Sequence, residues 1–256
     1  IGQFTVYWHG KAYIRDIGSG SYDQEYFDDA RWDYPQASSV GHNVVFVNGE
    51  KQIPGKMRRQ EWNYDVGGDV LDWRTSDVQD YVLMDPTKAY PGKEMKGWRR
   101  HVILDKDDDA VVVLDEVKSA KGAEVEVRFH AGVDREIQGD SGITLLKDDS
   151  GILALIPVYN GSYVIRPGRH ACQPVNATRN FFWVPYFGTV VSAPSTKTVI
   201  AHIVVPVSGE SEANAIAGSA SCSADGSGTT TVAFTKGGRN YSYTYEMQKD
   251  GLLLEK

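Results

Sequence analysis

The chain has 256 residues, 41% of them apolar and 24% charged, which is an ordinary globular composition with room for a sizeable core. Its 27 Lys and Arg against 34 Asp and Glu give a formal charge of −7, so bulk charge repels a polyanion and any acidic ligand needs a local basic cluster. No run of about 18 apolar residues occurs, which excludes a spanning helix, and we expect no signal peptide within these residues.

The elements read as short runs rich in Val, Ile, Tyr, Phe and Thr, divided by Gly, Pro, Asn and Asp. In chain order the candidate strands are 4–8, 11–16, 43–47, 102–104, 110–117, 124–131, 143–146, 152–157, 163–167, 180–184, 198–206, 229–234 and 240–248. Turn pairs such as His9-Gly10, Asn48-Gly49 and Gly237-Gly238 fall between them. The opening strand-like run, Phe4–Trp8, leads us to expect a longer parent polypeptide. One segment, Asp69–Asp80, reads as a helical turn. The run Ala110–Asp115 is almost wholly apolar and reads as a strand covered on both faces or in a sandwich core. In Glu124–His130 the apolar residues 125, 127 and 129 face one side, and Glu124, Glu126, Arg128 and His130 face the other. Ser208–Gly228 is rich in small and polar residues and reads as an exposed loop or linker. The expected fold is all-β, a large antiparallel β-sandwich with little helix. Residues 1–207 form its main domain. Residues 208–256 supply a linker and terminal strands that complete the sandwich or form a small β layer.

Few residues carry chemical signals. His42 follows a small-residue loop, Ser38-Ser-Val-Gly41, and opens a strand beside Asn43, a common place for a working imidazole. Arg99 and Arg100 form a basic pair that can grip a carboxylate or sulfate, or bond the acidic run 105–109. That run, Asp105-Lys-Asp-Asp-Asp109, lacks the Gly and Glu of a calcium loop and reads as a solvated acidic turn. No Cys-x-x-Cys, His-Glu-x-x-His or Gly-x-Ser-x-Gly occurs, so metal, zincin and serine-nucleophile chemistry have no motif here. Cys172 and Cys222 are compatible with a disulfide or with two free thiols. Short basic clusters and a negative total argue against nucleic acid.

Taken in order, Asp16-Ile-Gly-Ser-Gly-Ser-Tyr22, Ser38–Gly49 with Gln52, Arg99–Leu104, Val111–Asp115 and Phe129-His130 resemble the β-sheet domain of heparinase II/III-like polysaccharide lyases, including oligoalginate lyases. The resemblance covers about half the chain, and its most specific piece is His42-Asn43 with the Asn48-Gly49 turn. It implies an N-terminal α/α-toroid as partner domain and cleavage of uronate-containing polysaccharides by β-elimination. A base takes the C5 proton and the C4–O bond breaks. It also implies that His42 reaches across a domain cleft as a catalytic residue, with Asn43, Arg99 and Arg100 at the substrate or holding the motif loop. Some members hold a structural zinc through a His two positions beyond the motif His. That position is Val44 here, with Glu61, Asp65 and His101 left as stand-ins, so we expect no cofactor and no metal.

Two function classes follow. The first is the sandwich portion of a lyase on an acidic polysaccharide, inactive without its toroid and secreted or periplasmic, where polymer substrates lie. The second is a non-catalytic carbohydrate-binding or structural sandwich, with Trp32, Tyr34, Trp62 or Trp73 in an exposed groove. Neither involves a membrane.

Overall fold

A computed structural model describes residues 1–20, 25–27, 29–54, 66–138, 142–172, 182–224 and 229–246. Its strands are β1 (Val6–Trp8), β2 (Lys11–Ile14), β3 (Val45–Val47), β4 (Asp69–Thr75), β5 (Gln79–Asp85), β6 (Gly97–Asp105), β7 (Ala110–Lys118), β8 (Glu124–His130) and β9 (Asp134–Gln138). They continue as β10 (Ile143–Asp148), β11 (Gly151–Val158), β12 (Val164–Cys172), β13 (Phe182–Ser192) and β14 (Lys197–Val207). A helix, α1 (Glu210–Ser219), precedes β15 (Ser221–Ala224), β16 (Thr229–Lys236) and β17 (Arg239–Glu246).

The strands build an eight-stranded sheet in the order β4-β5-β6-β7-β14-β11-β10-β9, a four-stranded sheet β12-β13-β8-β3 and a three-stranded sheet β15-β16-β17. All pairings within them are antiparallel. The hairpin β1-β2 joins the end of the four-stranded sheet through a bridge from Ile14 to Ala131. Asn48 and Gly49 both take positive φ, 47° and 73°, at the turn that closes β3, as an Asn-Gly pair permits.

The large sheet is covered on both faces, and β7 shows why its sequence is apolar throughout. Val111, Val113 and Val117 pack toward the four-stranded sheet, in one core with Phe129 and Phe187. Ala110, Val112 and Leu114 pack the opposite way, in a second core with Ile216, Val232 and Tyr245. The neighbouring β14 divides likewise, with Ile200 and Val204 in the first core and Ala201, Ile203 and Val205 in the second. Each fully buried Val or Leu contributes about 1.5–3 kcal/mol. The result is three layers: small sheet, large sheet, and a cap of α1 with the three-stranded sheet.

Three sequence expectations change. Asp69–Asp80 is not helical but holds edge strand β4 and the start of β5. Much of β4 is exposed, so it lacks the alternation that marks a half-buried strand. Ser208–Gly228 is not a linker: it contains α1, whose buried residues are Ala213 and Ile216, and β15. In the acidic turn Asp105 is buried and accepts a hydrogen bond from Tyr243 Oη at 3.0 Å, tying the cap to the large sheet. Cys172 and Cys222 are both free thiols on different sheets, and burial pushes each up to about 11. Among the described residues no helix is long and apolar enough to cross a membrane.

Candidate active site

The motif loop makes a short 3-10 turn over Ser39–Gly41 and then becomes extended at His42. It lies over the outer face of the four-stranded sheet. The Val40 carbonyl accepts from His170 Nε2 at 2.9 Å and from Arg128 Nη1 at 3.2 Å. Beneath it the polar side of β8 is largely buried from Glu126 onward, Glu124 alone staying exposed, which the alternation could not reveal. Glu126 is 4% exposed and His130 0%. Arg128 Nε donates to Glu126 Oε1 at 2.7 Å, and its guanidinium lies over Phe46 and Tyr186. His130, His170 and Tyr186 pack their rings together, with centroids 4.5–5.7 Å apart. Gly168 makes room for them, since a Cβ there would stand 2.3 Å from Tyr186 Cζ.

Asn43 fastens the loop to this floor. Its side chain is wholly buried, donates to the carbonyls of Phe4 (2.8 Å) and Arg15 (3.0 Å), and accepts from His130 N (2.8 Å) and Nδ1 (3.1 Å). His130 Nδ1 must then carry the hydrogen, because an amide oxygen only accepts. Burial lowers its pKa to about 2, so the ring stays neutral.

Arg100 holds the same loop from below. It is 0% exposed, forks onto Asp115 at 2.8 and 3.0 Å, and donates to the carbonyls of Asn43 (2.5 Å) and Gly2 (2.9 Å). Trp98 Nε1 shares Asp115 at 2.7 Å. Of the two roles open to Arg100 and Asn43, holding the loop is the one their burial permits. Neither side chain reaches solvent, so neither touches a glycan directly. Arg99 alternates to the opposite face of β6, opposite Glu116 and 3.7 Å from Asp85, away from the motif loop.

His42 itself is at the surface, with 23% of its side chain exposed. Nδ1 lies 3.0 Å from Gln3 Oε1 and 3.3 Å from Asp16 Oδ2. Gln3 Nε2 also donates to Asp16, and Gly18 N donates to its other oxygen at 2.7 Å. The hydrogen bond from His42 chiefly, helped by Gln3 and Gly18, holds the Asp16 carboxyl well below the usual carboxylate range against the effect of burial. Both neighbours of Nδ1 are acceptors, so Nδ1 carries the proton. Nε2 has no hydrogen bond among the described residues and is not a buried orphan atom. An imidazole oriented by a carboxylate at one nitrogen and open at the other can take up a proton. Asp16 and Gln3 were not singled out from sequence as orienting groups. The only pointer was that Asp16 heads the Asp-Ile-Gly-Ser-Gly run.

The described residues do not fit the zinc site that the resemblance implies for some members. Val44 is fully buried and cannot coordinate. His101 is on the other face of the large sheet, between Tyr81 Oη and Glu116, each at 3.0 Å, with Tyr245 over its ring. Glu61 and Asp65 lie outside the described residues, as does Trp62. Among the described residues no group of three or more His, Cys, Asp or Glu could hold a metal. Trp32 and Tyr34 are half-buried, whereas Trp73 is exposed on β4, so these aromatics do not line one groove.

The model of the heparinase II/III-like C-terminal domain matches residues 1–223. This chain belongs to that family. Comparison with curated proteins returns no match. Among solved structures the heparinase-like fold is similar to heparan sulfate lyase HepC from Pedobacter heparinus, with a TM-score of 0.71 at 14% identity, covering 97% of this chain and 37% of that one. It is likewise similar to the heparinase III BT4657 gene product, with a TM-score of 0.68 at 14% identity over 96% of this chain and 36% of that one. At such identity the likeness is one of fold, and this chain spans little more than a third of their length.

Proposed function

We propose that this heparinase II/III-like domain is the β-sandwich portion of a polysaccharide lyase. Its substrate is a uronate-containing glycan, cleaved by β-elimination once an N-terminal α/α-toroid completes the cleft. The observation that carries the reading is His42, with Nδ1 tied to Asp16 and Gln3 and Nε2 open at the surface. In the step assigned to it, Nε2 takes the C5 proton, the C5–H electrons form the C4=C5 double bond, and the C4–O bond breaks. The leaving oxygen must be protonated and the substrate carboxylate neutralised by groups outside this chain. Asn43 and Arg100 position the loop, and Asp16 sets the imidazole's tautomer. The reading extends to a secreted or periplasmic location, which fractionation of the host cell tests.

The deciding experiment uses the full-length polypeptide with uronate glycans and follows absorbance from the unsaturated product. His42→Ala is expected to lower kcat by at least about 100-fold, while residues 1–256 alone give no product. Full activity in His42→Ala refutes the assignment.

A further inference from the structure

The uncovered end of the large sheet's outer face carries a groove of about 800 Å³ whose lining includes Lys88, Lys96, Arg99, Lys118 and Lys197. Five cations gather there in a protein of net charge −7, against three carboxylates, Asp69, Asp85 and Glu116. Strand register explains the convergence. Asp69, Asp85, Arg99 and Glu116 form one cross-strand row, and Lys118 and Lys197 stand opposite each other in the next. The three-stranded cap ends before this row: Tyr245 covers His101, two residues along β6, but Arg99 keeps 37% of its side chain exposed. The face is opposite to the one where Arg100 meets Asn43, so the groove is separate from the His42 site.

We propose that this groove is a second binding site, for an acidic glycan chain bearing sulfate or carboxylate groups. Among the described residues no carboxylate pairs with Lys96 or Lys118. Lys88 pairs with the exposed Asp69 at 3.0 Å, a surface pair weak enough for a ligand anion to displace, while Lys197 and Arg99 keep exposed side chains beside Glu116 (3.4 Å) and Asp85 (3.7 Å). The groove as a whole crosses β4, β5, β6, β7 and β14, about 19 Å at the usual strand spacing, which suits a chain rather than a single ion. The one aromatic lining residue, Trp98, is 1% exposed, so no ring is offered for stacking a base, and a glycan fits better than a single-stranded nucleic acid. The site shares a ligand class with the lyase reading but does not depend on His42, and a protein without elimination activity would still bind there.

Calorimetry of this chain with a sulfated hexasaccharide tests the proposal. Binding is expected, weakening as salt rises, and falling at least tenfold in the double variant Lys96→Glu/Lys118→Glu with an unchanged melting temperature. If that variant does not fold, Lys96→Gln/Lys118→Gln is read instead. A charge-matched control outside the groove, Lys11→Glu/Lys236→Glu, stays within twofold of the parent. The proposal is overturned if the control loses as much as the groove variant, if a neutral hexasaccharide binds equally well, or if single-stranded DNA of equal charge binds more tightly.

Discussion

Replacing Asn43 by Ala tests whether this residue clasps the fold or meets a substrate. The change removes four hydrogen bonds from a side chain with no solvent exposure. It leaves two carbonyls, one backbone N–H and the His130 ring N–H without their partner in a space water does not reach. Four bonds at about 1 kcal/mol net each put the loss at about 4 kcal/mol or more, since every group left unsatisfied adds its own penalty. Equilibrium urea unfolding reads it as a shift of the midpoint at constant slope. Asn43→Asp is expected to do no better, because it turns an acceptor toward the Phe4 and Arg15 carbonyls where a donor stood. A residue whose role was to contact a glycan would leave the midpoint nearly unmoved. An Asn43→Ala loss below about 1 kcal/mol therefore refutes the clasp.

Three further outcomes are expected. His130 and His202 are both fully buried, and burial chiefly lowers them to about 2 and about 3, so they remain neutral when folded. The unfolded chain, with ordinary values near 6.5, binds more protons below that pH. Stability is therefore whole above about pH 7 and falls by about 2 kcal/mol per histidine between pH 7.5 and 5; NMR titration of either ring near 6.5 in the folded protein contradicts this. Arg100→Met strands the buried Asp115 carboxylate and costs about 3–5 kcal/mol, whereas pairing it with Asp115→Leu recovers much of the loss; a thermal double-mutant cycle with no coupling counts against the pair. Gly168→Val drives a side chain into Tyr186 and costs about 1–3 kcal/mol, with a changed tyrosine fluorescence as the local sign.

How far the sequence could be read depends on where burial comes from. Ala110–Asp115 announced a doubly covered strand because both coverings are apolar layers, and β7 has them. All thirteen candidate strands overlap observed ones. β4 escaped notice because an exposed edge leaves little alternation. α1 escaped because two buried apolar residues in ten make almost no periodic signal. The heparinase-like character was legible in the His42-Asn43 run, and the family match agrees with it. The local division of labour was not legible. Neighbouring residues 42 and 43 differ completely in exposure, and Arg99 and Arg100 serve opposite faces of one strand. Such differences arise from which surface another part of the chain covers. The orienting pair Gln3 and Asp16 reaches His42 from the other end of the N-terminal hairpin, a contact no local pattern records.

The order of strands in the large sheet also governs how the polypeptide can assemble. Its middle pair joins β7 to β14, so Lys118 meets Lys197 only after β8 through β13 have been made. A nascent chain leaving the ribosome therefore displays β6 and β7 with an unpaired apolar edge until Val207 emerges. That wiring predicts slow folding, and truncations ending before β14 are expected to accumulate as aggregates rather than as smaller folded units.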